Sequence, residues 1–162
     1  MRSGFVSLIG RPNVGKSTLL NTLITQKIAI TSDKAGTTRN VIQGIYNEKD
    51  YQIIFVDTPG ISKPINRLGK LLNKKAKEMT NDVDCILFVI DGKKGIGPGD
   101  KYILNMLKKV EIPVILVINK IDQITDEILL YTINEYKDLY PFSEIVPVSA
   151  MTNDNVDRLI TV

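Results

Sequence analysis

Apolar residues gather in runs of strand length at positions 5–9, 53–56, 85–90, 114–118 and 145–148, each rich in Val, Ile or Phe. Runs that stay apolar at successive positions belong to parallel strands covered on both faces. Residues 41–46 and 51–56 flank the polar stretch Asn47-Glu48-Lys49-Asp50, which predicts a hairpin. Helical spacing predicts helices over 16–25, 67–81, 99–109, 126–139 and from Asn153 onward. Residues 62–64 and 95–99 read as loops by their Gly and Pro content. Such alternation implies a three-layer α/β domain, with a mostly parallel sheet and helices on both faces.

Composition narrows the chemistry. The chain has 162 residues, 43% hydrophobic and 24% charged, which suits one globular domain and excludes disorder. A net charge of +3 is too small to argue for nucleic acid by itself. There is one cysteine and no histidine, so an intrachain disulfide, a Cys/His zinc site and His-dependent hydrolases are all excluded. Catalysis is left to backbone amides, Lys, Arg, carboxylates, hydroxyls or a hard metal ion. The apolar runs at 85–90 and 112–118 fall far short of the ~20 residues of a spanning helix. No leader pattern precedes residue 5, and the expected location is the cytoplasm. The last helical stretch has few residues before Val162, as though more polypeptide once followed.

Gly10-Arg11-Pro12-Asn13-Val14-Gly15-Lys16-Ser17 fits G-x-x-x-x-G-K-[ST] between a predicted strand and a predicted helix. In that context, backbone N–H groups of Asn13, Val14, Gly15, Lys16, Ser17 and Thr18 turn toward bound phosphates, aided by the helix dipole. Lys16 reaches the β- and γ-phosphates, and the Ser17 hydroxyl is a ligand for Mg²⁺. Asp57-Thr58-Pro59-Gly60 follows the strand at 53–56. Asp57 would hold Mg²⁺ through a water, and the Gly60 N–H would meet the γ-phosphate. Ahead of it, Thr37-Thr38-Arg39 lies in a polar loop, where Thr38, favoured over Thr37, completes the Mg²⁺ shell only while a γ-phosphate is present. Arg39 reads as a cation of that loop rather than as an arginine finger.

Asn119-Lys120-Ile121-Asp122 follows the strand at 114–118. The Asp122 carboxylate can accept from N1–H and the 2-amino group of guanine, donors that adenine lacks in that arrangement. The Lys120 stem can lie along the base, and Asn119 can tie this loop to the phosphate loop. Ser149, Ala150 and Met151 can offer a backbone N–H to guanine O6.

Taken in order, these motifs resemble the translation-factor-related GTPases, and among them the Era type. The resemblance runs through residues 3–21, 32–40, 57–64, 119–122 and 142–150. It implies a P-loop NTPase of Ras-like architecture, with six strands and one antiparallel edge strand, binding GTP or GDP with Mg²⁺. Thr58-Pro59-Gly60 argues against the Der and MnmE relatives, which usually carry Ala before the Gly. The resemblance further implies ribosome assembly and small-subunit rRNA as a partner, mainly through a C-terminal KH-type domain not contained in these residues. Family members also associate peripherally with the cell membrane. The isolated domain is expected to be a monomer.

Ile61 stands where Ras-like proteins place the glutamine that orients water, so intrinsic hydrolysis should be slow. An arginine finger elsewhere adds about 10³–10⁵-fold, roughly 4–7 kcal/mol of barrier. Asn13 occupies the position of a K⁺ ligand in potassium-activated relatives, and a cation there would neutralise developing charge. Alternatively Asn13 only suits the backbone geometry of the loop. Lys70, Lys74, Lys75 and Lys77 read as a solvated helix face, and Cys85 as core. Two other classes stay open. A small-molecule kinase would want an Arg-rich lid, which five scattered arginines do not make. A binding module with negligible turnover is kept open by Ile61.

Overall fold

A computed structural model of the chain describes residues 2–25, 42–57 and 82–162. Thr37, Thr38, Arg39, Gly60, Ile61 and the helix expected over 67–81 lie outside the described residues. Six strands form one sheet: β1 (Arg2–Ile9), β2 (Ile42–Asn47), β3 (Tyr51–Asp57), β4 (Cys85–Asp91), β5 (Val114–Asn119) and β6 (Glu144–Pro147). Their order is β2-β3-β1-β4-β5-β6, and only β2–β3 is antiparallel. The mostly parallel, six-stranded sheet with one antiparallel edge strand is therefore present. Helices α1 (Lys16–Thr25), α2 (Pro98–Leu107), α3 (Asp126–Lys137) and α4 (Val156–Thr161) connect or follow the strands.

The continuous apolar runs have a packing cause. In β4, Leu87 and Val89 enter a core with Leu19, Leu23, Val156 and Leu159 of α1 and α4. The intervening Ile86, Phe88 and Ile90 enter a second core with Ile103, Leu107 and Tyr136 of α2 and α3. Both faces are thus dry, and every residue of β5 is buried. A buried side chain of Val, Leu, Ile or Phe contributes about 1.5–3 kcal/mol relative to exposure. Phe88 is enclosed completely, edge-on to Tyr136 at a centroid distance of 6.3 Å.

Most expected boundaries move by a few residues. Helix α2 starts at Pro98, whose fixed φ and missing N–H suit a first helical position. The expected helix from Asn153 is corrected: α4 begins only at Val156. Asn153 (φ 61°) and Asn155 (φ 60°) are left-handed, and Ser149 and Asp154 exchange backbone hydrogen bonds across the turn. Asn is among the residues most tolerant of that region, so the polar cluster makes a turn before the helix starts.

Candidate nucleotide-binding site

Strand order places the site. Chain direction across the sheet reverses at β1, between β3 and β4, and ligands of open parallel sheets settle at the carboxyl ends beside such a reversal. The loop after β1 carries Gly10 to Gly15. In the β1–β3 register Leu8 lies opposite Asp57, so the backbone of Asp57 ends β3 beside the start of that loop. Ser17 is exposed on the first turn of α1.

Hydrogen bonds converge on the loop carbonyls. Lys16 Nζ curls back and donates to Gly10 O at 2.8 Å and Arg11 O at 3.1 Å. Lys120 Nζ donates to Asn13 O at 3.0 Å. Asn119 Nδ2 donates to Val14 O at 3.0 Å, across 105 residues of sequence. With these oxygens drawn away from the loop interior, its N–H groups are left to face a ligand. Gly15 is required twice over. Its φ is 96°, and a Cβ there would collide with Asn119 Nδ2. Asn13 is also left-handed, at φ 67°.

The base end is equally prepared. Asn119 is 2% exposed, and its Oδ1 accepts from Ala150 N at 3.0 Å. The tie between this loop and the phosphate loop, expected from the sequence, is therefore made by one amide using both ends. Ser149 Oγ donates to Asp122 Oδ1 at 2.8 Å, which orients the carboxylate while Oδ2 stays out of that bond. The same hydroxyl accepts from Thr152 N at 3.2 Å. Gly15, Thr18, Asn119, Lys120, Asp122, Gln123, Ala150 and Met151 line a shallow pocket between the two loops. The structure thus brings together the expected phosphate-loop and base-loop residues.

Two details refine the sequence reading. Ser149 N is already donated to Asp154 O, and Ala150 N to Asn119 Oδ1. Of the three backbone groups considered for a guanine O6, only Met151 N makes no hydrogen bond to another described residue. Met151 is 78% exposed. Lys120 does more than lie along a base. Its ammonium also pairs with Asp91 Oδ2 at 3.0 Å, and Asp91 is 5% exposed. Asp91 was missed from sequence. Its signal was the one used for Asp57, a carboxylate ending a buried parallel strand.

Arg11 was also unread. Its Nε stands 3.1 Å from Asp100 Oδ1, an ion pair without hydrogen-bond alignment. Asp100 is 1% exposed at the start of α2, and its Oδ2 accepts from Gly97 N at 3.0 Å. Burial pushes the Asp100 carboxyl up from its ordinary range, while the Gly97 N–H and Arg11 pull it back. The Tyr136 hydroxyl is a further partner of this carboxylate. That phenol is shifted up by burial first and then by the Asp100 charge. Among the described residues there is no cluster of three His, Cys, Asp or Glu for a metal.

A six-stranded sheet with this loop at its central strand is a nucleotide-binding domain of the P-loop GTPase class. Residues 5–120 match the family described as 50S ribosome-binding GTPase, and the chain belongs to that family. It is 45% identical to Era in a crystal structure with MgGDPNP and nucleotides 1506–1542 of 16S ribosomal RNA, at a TM-score of 0.83. Aquifex aeolicus Era, in a point variant bound to GDP and aluminium fluoride, gives 45% and 0.82. Both matches cover 99% of this chain, but only 55% and 56% of those chains. Elongation factor SelB from Methanococcus maripaludis, with the GTP analogue GppNHp, is 26% identical at 0.76, over 99% of this chain and 33% of that one.

Proposed function

We propose that this chain is the switch domain of an Era-like GTPase, which binds guanine nucleotides with Mg²⁺ and hydrolyses GTP slowly to GDP and phosphate. The observation that carries the reading is the Asn119 amide, which joins Val14 O of the phosphate loop to Ala150 N of the base loop. It fixes the spacing between a phosphate cradle and a carboxylate acceptor through bonds within the protein itself, which lowers the ordering cost of binding.

In this reading the loop amides from Asn13 to Thr18 and the Lys16 ammonium take the phosphates. Asp122, steadied by Ser149, accepts the two guanine donors. Adenine would leave that carboxylate unpaired, which is costly. The Ser17 hydroxyl and the Asp57 carboxylate are hard oxygen donors that would hold Mg²⁺, with Thr38 as the triphosphate-dependent ligand. Bound there, Mg²⁺ would neutralise phosphate charge. The Gly60 N–H would meet the γ-phosphate, and Ile61 cannot orient a water, which is why turnover is slow.

Phosphate release from GTP and from ATP, in matched KCl and NaCl, tests this. GTP-only turnover is expected, and equal use of ATP would sink the guanine assignment. Asp122→Asn places an amide donor against the guanine donors and should move preference toward a base carrying a carbonyl at that edge, as xanthine does. Potassium is the finer part of the proposal. A φ of 67° already accounts for Asn at position 13, so equal turnover in the two salts leaves the backbone account standing alone. A role in small-subunit assembly is supported by the 45% identity to Era solved with a 16S rRNA fragment. Binding to small-subunit rRNA is its test.

A further inference from the structure

The phosphate loop has an anchor that its motif does not specify. Arg11 fills one of the four free positions of G-x-x-x-x-G-K-[ST], and its backbone oxygen is one of the two that hold Lys16 Nζ. Its side chain runs away from the ligand side onto the first turn of α2. There, a Cβ on Gly99 would stand 2.7 Å from Arg11 Cδ, and one on Gly97 2.7 Å from Nη1. The Gly97-Pro98-Gly99 stretch is thus a groove cut for the guanidinium and its stem. Asp100 borders the groove, and its Oδ2 accepts from Gly97 N.

We infer that Arg11 and Asp100 are a positioning pair that sets the first limb of the phosphate loop, and through the Arg11 carbonyl the aim of Lys16 at the phosphates. The inference rests on the proposed nucleotide reading. It also gives Arg11 a role distinct from an arginine finger, because a guanidinium engaged by a buried carboxylate in a fitted groove is not available to the γ-phosphate. The base end does not depend on this pair, since Asn119 is tied to Val14 and Ala150, and Asp122 to Ser149.

The test is release of fluorescent GDP and of a fluorescent non-hydrolysable GTP analogue, with competition by guanosine, which has no phosphate. Wild type is compared with Arg11→Ala, Arg11→Lys, Asp100→Asn, Gly99→Ala and the Arg11→Ala/Asp100→Asn double variant. Arg11→Ala and Asp100→Asn should each speed release of both nucleotides by about tenfold, and the double variant no more than either alone. Arg11→Lys should recover part of the loss. Gly99→Ala, which shifts the arginine stem without removing a charge, should speed release about threefold and keeps the test open if the charge variants fail to fold. Guanosine competition should stay within about twofold throughout. Unchanged release in the folded variants overturns the inference. So does a parallel fall in guanosine affinity, the mark of general loosening, or a double variant equal to the product of the singles. If wild type binds neither nucleotide, the nucleotide reading itself falls.

Discussion

The phosphate loop is held differently at its two ends. Its later half, from Asn13 to Gly15, is stitched by neutral and charged side chains of β5 and the turn after it, with every bond well aligned at 3.0 Å. Its first half is held by the Lys16 ammonium on Gly10 O and Arg11 O and by an arginine laid in a glycine groove, beside a carboxylate 1% exposed. Hydrogen bonds that satisfy buried groups resist loss, because each orphaned partner brings a desolvation cost. An ion pair with a buried carboxylate can instead be relieved by protonation. The half facing the base is therefore the more rigid, and the half that aims Lys16 is the more adjustable.

Asn119→Ala is the severest way to break that contrast. It orphans Val14 O and Ala150 N together, and should cost roughly 2–6 kcal/mol in urea unfolding, at about 1–3 kcal/mol for each buried group. A loss below about 1 kcal/mol would mean that the loop is held by something other than this amide.

Next comes Arg11→Ala, worth about 2 kcal/mol at neutral pH, less than a fully buried pair because the arginine keeps part of its solvent. Here the sign with pH is diagnostic. Burial raises the folded Asp100 carboxyl above its ordinary 3.8, so its contribution to stability is greatest below that value and is lost as pH rises through the folded value. Without Arg11 that loss deepens. The gap between wild type and variant should be small in acid and widen toward neutrality in pH-dependent melts. A gap constant with pH would assign the effect to packing.

Lys120→Met sharpens the comparison from the other end. It keeps the stem but takes the ammonium from Asp91 Oδ2 and Asn13 O, while Asp91 Oδ1 still accepts from Lys93 N. About 1–2 kcal/mol should be lost, and Asp91→Asn in the same chain should restore part of it in a double-variant cycle. Thr22→Val is the mildest. Its hydroxyl has one proton to share between Ala150 O and Thr18 O, each at 2.9 Å, and about 0.5–1.5 kcal/mol should go with little change in nucleotide release.

Legibility followed the same division. Asn119, Lys120, Asp122 and the Gly15-Lys16-Ser17 run could be read because their spacing is dictated by a ligand as well as by the chain. The sheet was readable too, since strands buried on both faces leave unbroken apolar runs. Arg11 and Asp100 were not. A surface-type residue at a free loop position and an acid in the first turn of a predicted helix meet only once α2 is docked, and no local pattern encodes that meeting. Gly97-Pro98-Gly99 read as a turn, whereas its lack of side chains serves a neighbour's guanidinium. The start of α4 was misplaced because two asparagines take left-handed geometry, a choice fixed by the Ser149–Asp154 bridge rather than by composition.

The placement of β1 at the centre of the sheet has a consequence for how the protein is made. It emerges from synthesis before either neighbour exists, since β3 (Tyr51–Asp57) and β4 (Cys85–Asp91) are translated later. Such a non-local pairing must wait for chain closure, and an apolar segment that waits is exposed to misassembly. The loop that follows β1 waits longer still, because Asn119 and Lys120 must be translated before they can grip its carbonyls. Competence to hold a ligand therefore waits on β5 and the residue after it, although the loop responsible is translated about a hundred residues earlier.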